Sequence, residues 1–145
     1  MLGAWEPRES VGAERVNDPG CVTSNELSTD DVERAAVFYS ELFGWRIEEI
    51  DTGGGPRYWT IGHEGAAAGR NGGMRELAPA QQEAGVAPHW MPYFTVESAT
   101  EAIATTDRHE GSLLAGPIDV PAGRFAVLGD PQGAIFAIFE GDVDD

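Results

Sequence analysis

The strongest constraint on this chain is an internal repeat. The stretch Ser24–Arg70, moved forward by 67 positions, falls on Met91–Ala137 without a gap. Gly44 then lands on Gly111, Arg57-Tyr58 on Arg124-Phe125, Ile61-Gly62 on Leu128-Gly129 and Ala35 on Ala102. Few positions are identical, but the glycines and the apolar pattern keep register. A fixed period in a short chain indicates one supersecondary unit used twice, and a solenoid needs at least about three copies. Two copies are better satisfied by pairing around a pseudo-two-fold axis. At 145 residues the chain fits one domain with a real core.

Each copy reads as β-α-β-β-β. In the first, Cys21–Thr29 alternates as a strand, with Val22, Ser24, Glu26 and Ser28 on one face. Asp30 or Thr29 can cap a helix over Asp31–Phe43, whose apolar stripe is Val32, Ala35, Ala36, Tyr39, Leu42 and Phe43. Gly44 stops it. Strands follow at Trp45–Asp51, Arg57–Ile61 and Ala66–Met74, the last rich in small residues. Glu76–Pro88 reads as a polar linker. The second copy gives a strand at Pro88–Val96, with His89, Met91, Tyr93 and Thr95 on one face, and a helix at Ala99–His109 capped by Ser98. Three strands close it: Ser112–Val120 broken at Gly116-Pro117, Arg124–Leu128, and Ala134–Glu140 after the Gly129–Gly133 turn. The fold class is α+β, with helices on one face of a mixed sheet.

Residues 1–20 stand outside the repeat and read as an N-terminal linker segment; residues 21–145 form the domain, with units 21–75 and 88–141. The formal net charge of −16 leaves no basic stripe to neutralise phosphates, which excludes nucleic acid and an anionic membrane as partners. No apolar run reaches the length of a membrane span, and the N-terminus lacks the pattern of a signal peptide. The single cysteine, Cys21, reads as a small apolar residue, compatible with a reducing cytoplasm.

Two motifs carry a resemblance. Asp31-Val32-Glu33-Arg34-Ala35-Ala36-Val37-Phe38-Tyr39 followed by Leu42-Phe43-Gly44-Trp45 resembles the helix signature of the vicinal-oxygen-chelate superfamily, the glyoxalase, bleomycin-resistance and dioxygenase group. Gly129-Asp130-Pro131-Gln132-Gly133-Ala134 resembles its turn before the last strand. Asn25-Glu26-Leu27, Gly72-Gly73-Met74 and Pro88–Tyr93 are similar to glyoxalase-like proteins with two such domains in tandem. Ala4-Trp5-Glu6-Pro7 and Val16–Gly20 are similar to the linker that joins those domains, so residues 1–20 are expected to be the tail of a preceding one. The resemblance implies the glyoxalase/bleomycin-resistance fold: two βαβββ units forming a curved mixed sheet around a cup, as a homodimer or paired with a sister domain.

In metal-using members, the resemblance places four ligands on the cup floor. Mapped from the motifs, these positions are Ser24, Arg70, Met91 and Ala137, none a good metal ligand. The leading expectation is therefore binding of a small organic molecule without metal or other cofactor. The binding residues expected are Ser24, Glu26, Arg70, His89, Met91, Tyr93, Ala137 and Phe139, with no metal ligand and Glu26 as the best catalytic candidate. The alternatives are a lyase, dioxygenase or isomerase using a metal or Glu26, and a non-catalytic interaction module. Glu26 has three open roles: general base, acceptor for a cationic or polyhydroxyl ligand, or partner of Arg70 or another arginine across the cup. An open cup with Glu26 exposed on its floor favours the binder; one filled by Met91, Tyr93 and Phe139 favours the module. His89 reads as a hydrogen-bonded strand-end residue. His109 is expected at a helix end.

Overall fold

The computed structural model describes Glu6, Glu9, residues 12–63 and residues 70–142, without the side chains of residues 70 and 71. Ala4 and Trp5, expected to belong to the tail of a preceding domain, lie outside the described residues, as do residues 66–69 of the small-residue strand. The order is β1 (Val22–Thr29), α1 (Val32–Phe43), β2 (Trp45–Ile50), β3 (Tyr58–His63), β4 (Arg70–Glu76), α2 (Pro79–Glu83), β5 (His89–Thr95), α3 (Ala99–Arg108), β6 (Ser112–Val120), β7 (Gly123–Gly129) and β8 (Ile135–Gly141). All eight strands join one curved, mixed sheet in the order β2-β3-β4-β1-β5-β8-β7-β6.

Local chemistry sets the helix ends. The Asp31 carboxylate accepts from the Arg34 N–H at 2.9 Å and so caps α1. Gly44 closes α1 in the left-handed region, at φ 67°. Ser98 caps α3 through the Glu101 N–H at 3.2 Å. Glu140, on β8, adds a carboxylate to the Ala99 N–H at 2.7 Å, favourable at a helix N-terminus. Asp130 accepts from the backbone of Gln132 and Ala134, at 2.9 and 2.8 Å, and so shapes the turn into β8.

Each unit builds its own core on the helix side of the sheet. Leu27, Val32, Trp59, Ile61 and Met74 form the first, with Ala35 and Tyr39 from α1 against it. Ala99, Ala126, Leu128 and Ile138 form the second, with Ala102 and Ile103 from α3. The repeat explains the match: Ile61 and Leu128, 67 apart, are each 1% exposed. Trp90 crosses the seam and donates from its indole to the Tyr39 hydroxyl at 2.9 Å.

The pseudo-two-fold axis is visible in the register. Strands β1 and β5 pair antiparallel with Asn25 opposite Pro92, two positions that are themselves 67 apart. Ser24 faces Tyr93 and Glu26 faces Met91; moving each pair by one repeat gives the other.

Four expectations need correction. The repeat is not gapless. Beside β1, β4 aligns Gly73 with Glu26; beside β5, β8 aligns Ala137 with Tyr93. Ala137 therefore matches Gly73, not Arg70, because the second hairpin is shorter: Tyr58 pairs with Arg75, whereas its equivalent Phe125 pairs with Phe139. The linker holds the short helix α2, begun by Pro79, which suits a first helical turn. Gly116-Pro117 does not break β6; the pairing with β7 shifts register there instead, the form irregularity takes on an edge strand. Leu42 is 54% exposed and lies off the buried stripe of α1.

Candidate functional site

The sheet face away from the helices carries the cup floor. Strand alternation places Ser24, Glu26 and Ser28 of β1 there, with His89, Met91, Tyr93 and Thr95 of β5. Leu27 and Met74 mark the opposite, core-facing side. By the same alternation, Tyr58 of β3, Gly73 and Arg75 of β4, Phe125 of β7, and Ala137 and Phe139 of β8 face the cup.

Glu26 is the centre of the polar half. It is 8% exposed and pairs with the Arg75 guanidinium, Nε to Oε1, at 2.8 Å. The Tyr93 hydroxyl donates to the same oxygen at 3.3 Å. The Tyr58 hydroxyl also lies within the field of the carboxylate. Burial, and then the Glu26 charge, pushes both phenols up, so both stay O–H donors. A carboxylate buried this deeply needs such partners, because an unpaired buried charge is costly.

Gly73 makes the arrangement possible. A Cβ at that position would lie 1.9 Å from the Tyr58 hydroxyl oxygen. The glycine leaves the space through which the Tyr58 ring reaches Glu26.

The other half is aromatic. Tyr93 and Phe125 lie with ring centroids 6.2 Å apart, tilted at 57°. Phe139 is the cross-strand partner of Phe125, and Met91, 5% exposed, lies opposite Glu26. A shallow hollow beside the start of α1, lined by Thr29, Asp30, Asp31, Arg34, Ala35 and Phe38, is on the helix side and gathers no comparable set.

A family model described as "Bleomycin resistance protein-like N-terminal" matches residues 22–54. The "Putative glyoxylase CFP32" of Mycobacterium tuberculosis is 36% identical over 140 residues, 96% of this chain and 51% of that protein. The "Anthracycline biosynthesis protein DnrV" of Streptomyces peucetius is 31% identical over 129 residues, 83% of this chain and 47% of that protein. The chain thus spans about half the length of the curated relatives it matches. The crystal structure of methylmalonyl-CoA epimerase from Mycobacterium tuberculosis superposes with a TM-score of 0.58 at 14% identity, covering 89% of this chain and 94% of that one, which shows a shared fold. The chain belongs to the vicinal-oxygen-chelate superfamily.

Membership of the vicinal-oxygen-chelate superfamily raises the question of a metal. With the repeat corrected, the four floor positions are Ser24, Gly73, Met91 and Ala137. A hydroxyl, a thioether and two residues without donor atoms do not fit a divalent metal. Among the described residues, no group of three or more His, Cys, Asp and Glu side chains is placed to hold a metal ion.

The expected residues divide clearly. Ser24, Glu26, Met91, Tyr93, Ala137 and Phe139 share the cup face. His89 stands at the start of β5 with Nδ1 2.9 Å from the Ala87 carbonyl oxygen. Arg70 begins β4, pairing with Gly62, and its side chain is outside the described residues. Glu26 is not exposed on the floor as the binder expectation had it. It lies beneath its partners, and Arg75, with a side chain 30% exposed, is the charged group that reaches the cup. Arg75, Tyr58 and Phe125 were not among the expected site residues. The signal for Arg75 was its period-two spacing from Gly73, and for Tyr58 and Phe125 their equivalence in the repeat.

Among the described residues, no helix is long and apolar enough to cross a membrane.

Proposed function

We propose that the cup binds a small organic molecule directly, with no metal between protein and ligand. One observation carries this reading: a Glu26–Arg75 pair, its carboxylate buried and its guanidinium partly exposed, shares one face of the sheet with an aromatic wall. Small-molecule sites combine apolar lining with a few placed polar groups in this way. Arg75 keeps guanidinium N–H groups beyond the one given to Glu26, and Tyr93, Phe125 and Phe139 offer flat surface. The names of the relatives, a glyoxylase and an anthracycline biosynthesis protein, both accord with small-molecule chemistry.

The test is a fragment screen by amide NMR in EDTA, beside elemental analysis after incubation with Ni, Zn, Mn and Fe(II). Shifts clustered at Glu26, Arg75 and Tyr93 with no stoichiometric metal are expected. Near one metal per chain would overturn the reading.

A second reading is an enzyme in which Glu26 acts as base, supported by its buried carboxylate on the cup face. Glu26→Gln would then abolish turnover while ligand still bound.

The proposal includes pairing with a second copy or a sister domain in a cytoplasmic setting. The edge strand β6 supports the pairing, since it is exposed along its whole length and carries Leu113, Leu114 and Ile118. Sedimentation is expected to give a dimer mass for this chain alone or a complex with the sister domain. A monomer that ignores both would remove this part of the proposal.

A further inference from the structure

The cup limits the charge and shape of what it can hold. An arginine guanidinium has five N–H donors. Arg75 gives its Nε–H to Glu26 and its side chain remains 30% exposed, which leaves its terminal N–H groups able to donate to a ligand. Glu26 already receives Arg75 and Tyr93. The polar end therefore presents donors, and its positive charge is already matched by Glu26. A ligand must bring acceptors to it.

The opposite end is flat and apolar. Tyr93 and Phe125 stand 6.2 Å apart between centroids, and Phe139 pairs with Phe125. Between the two ends the Tyr58 ring lies over Gly73, and the low point of the floor is Ala137, beside Tyr93. The chain as a whole carries a formal charge of −16. With Arg75 already neutralised, an anionic ligand would meet that field without a spare cation.

We propose that the cup takes a planar aromatic carbonyl compound without negative charge, a quinone or aryl ketone. Its carbonyl oxygen accepts from the terminal N–H groups of Arg75, and its rings lie on Tyr93, Phe125 and Phe139. This inference rests on the small-molecule reading above and names its ligand class.

The test is an absorbance titration of the full chain with 1,4-dihydroxyanthraquinone, with anthraquinone-2-carboxylate as the charged counterpart. The quinone is expected to bind at about one per chain, weakened about tenfold in Arg75→Met, the scale of one charge-assisted hydrogen bond. Phe125→Leu, which leaves the ion pair intact, is expected to weaken it by about threefold or more through lost ring contact. The carboxylate is expected to bind at least about tenfold more weakly than the quinone. Equal or tighter binding of the carboxylate would overturn the proposal, as would quinone binding that neither variant changes. If the quinone fails but the fragment screen still shifts Glu26 and Tyr93, the ligand class is wrong and the small-molecule reading stands. If neither binds, both fall.

Discussion

The two halves of the cup are built on one plan and filled with opposite chemistry. Glu26 and Tyr93 are repeat equivalents, and so are Tyr58 and Phe125. On the shifted last strands, Gly73 answers Ala137, and Arg75 answers Phe139. The first unit thus supplies a carboxylate, an arginine and a buried hydroxyl. The second supplies Tyr93 and two phenyl rings at the same places. The backbone is shared because both units need the same core-facing pattern and the same capped helix. The cup-facing residues are not held by that pattern, because alternation separates them from the core at every strand. Packing therefore keeps the units alike on one side of the sheet, while the other side is free to differ.

The largest expected break in the comparison comes from Arg75. Arg75→Met leaves the Glu26 carboxylate buried without its cation, and denaturant unfolding should show a loss of about 3–5 kcal/mol. The double variant Glu26→Gln with Arg75→Met should recover most of it. A double variant no more stable than the single would show that the pair is not the source.

Alkaline pH should probe the two buried hydroxyls next. Both phenols are raised above the ordinary tyrosine value of about 10 in the folded chain. Their contribution is fully present below the unfolded value. It is lost as pH rises through the folded values, because the unfolded chain gives up those protons first. With two such groups, the loss at pH 11 should be roughly 3 kcal/mol, and Tyr58→Phe should make the decline shallower. A decline of unchanged slope would place the titration elsewhere.

Gly73→Ala tests the space that admits Tyr58. It should cost about 2 kcal/mol by displacing the ring, with Tyr58 resonances moving most in NMR spectra. Ala137→Gly, at the equivalent position, should leave Tyr58 untouched. The smallest effect belongs to Tyr93→Phe. Removing its 3.3 Å hydrogen bond while keeping the ring should cost about 1 kcal/mol. A loss as large as that of Arg75→Met would mean Tyr93 holds the carboxylate as firmly as the arginine does.

Much of this was legible in the sequence, for local reasons. Gly44, Ser98 and the Asp130 turn act within a few residues of themselves, so their roles follow from residue type and order, whereas the cap of α1, expected at Asp30 or Thr29, is Asp31, one of three adjacent capping residue types that order alone does not separate. The cup-facing sets of β1 and β5 followed from alternation alone. What stayed hidden depends on pairing between distant strands. The hairpin that brings Arg75 opposite Tyr58 is longer than the one that brings Phe139 opposite Phe125, and an ungapped repeat cannot show that. The same slip put Arg70 where Gly73 belongs. Leu42 was misplaced because Phe43, stacked on Tyr39 and packed against Trp45, takes the end of the buried stripe, and Leu42 lies about 100° further round the helix. Glu26 was correctly placed, but its partner was fixed by the register of β4, which no local pattern reveals.

Each unit closes a core of its own, and residues 84–88 between them are exposed. The peptide bonds of that connection therefore do little of the holding. The halves are joined by the β1–β5 ladder and by Trp90 reaching into the first core, none of which needs an unbroken chain. Cut at the connection, the molecule should behave as two complementary fragments that find each other again. Its two halves would then meet as partners do, with an affinity that dilution can measure.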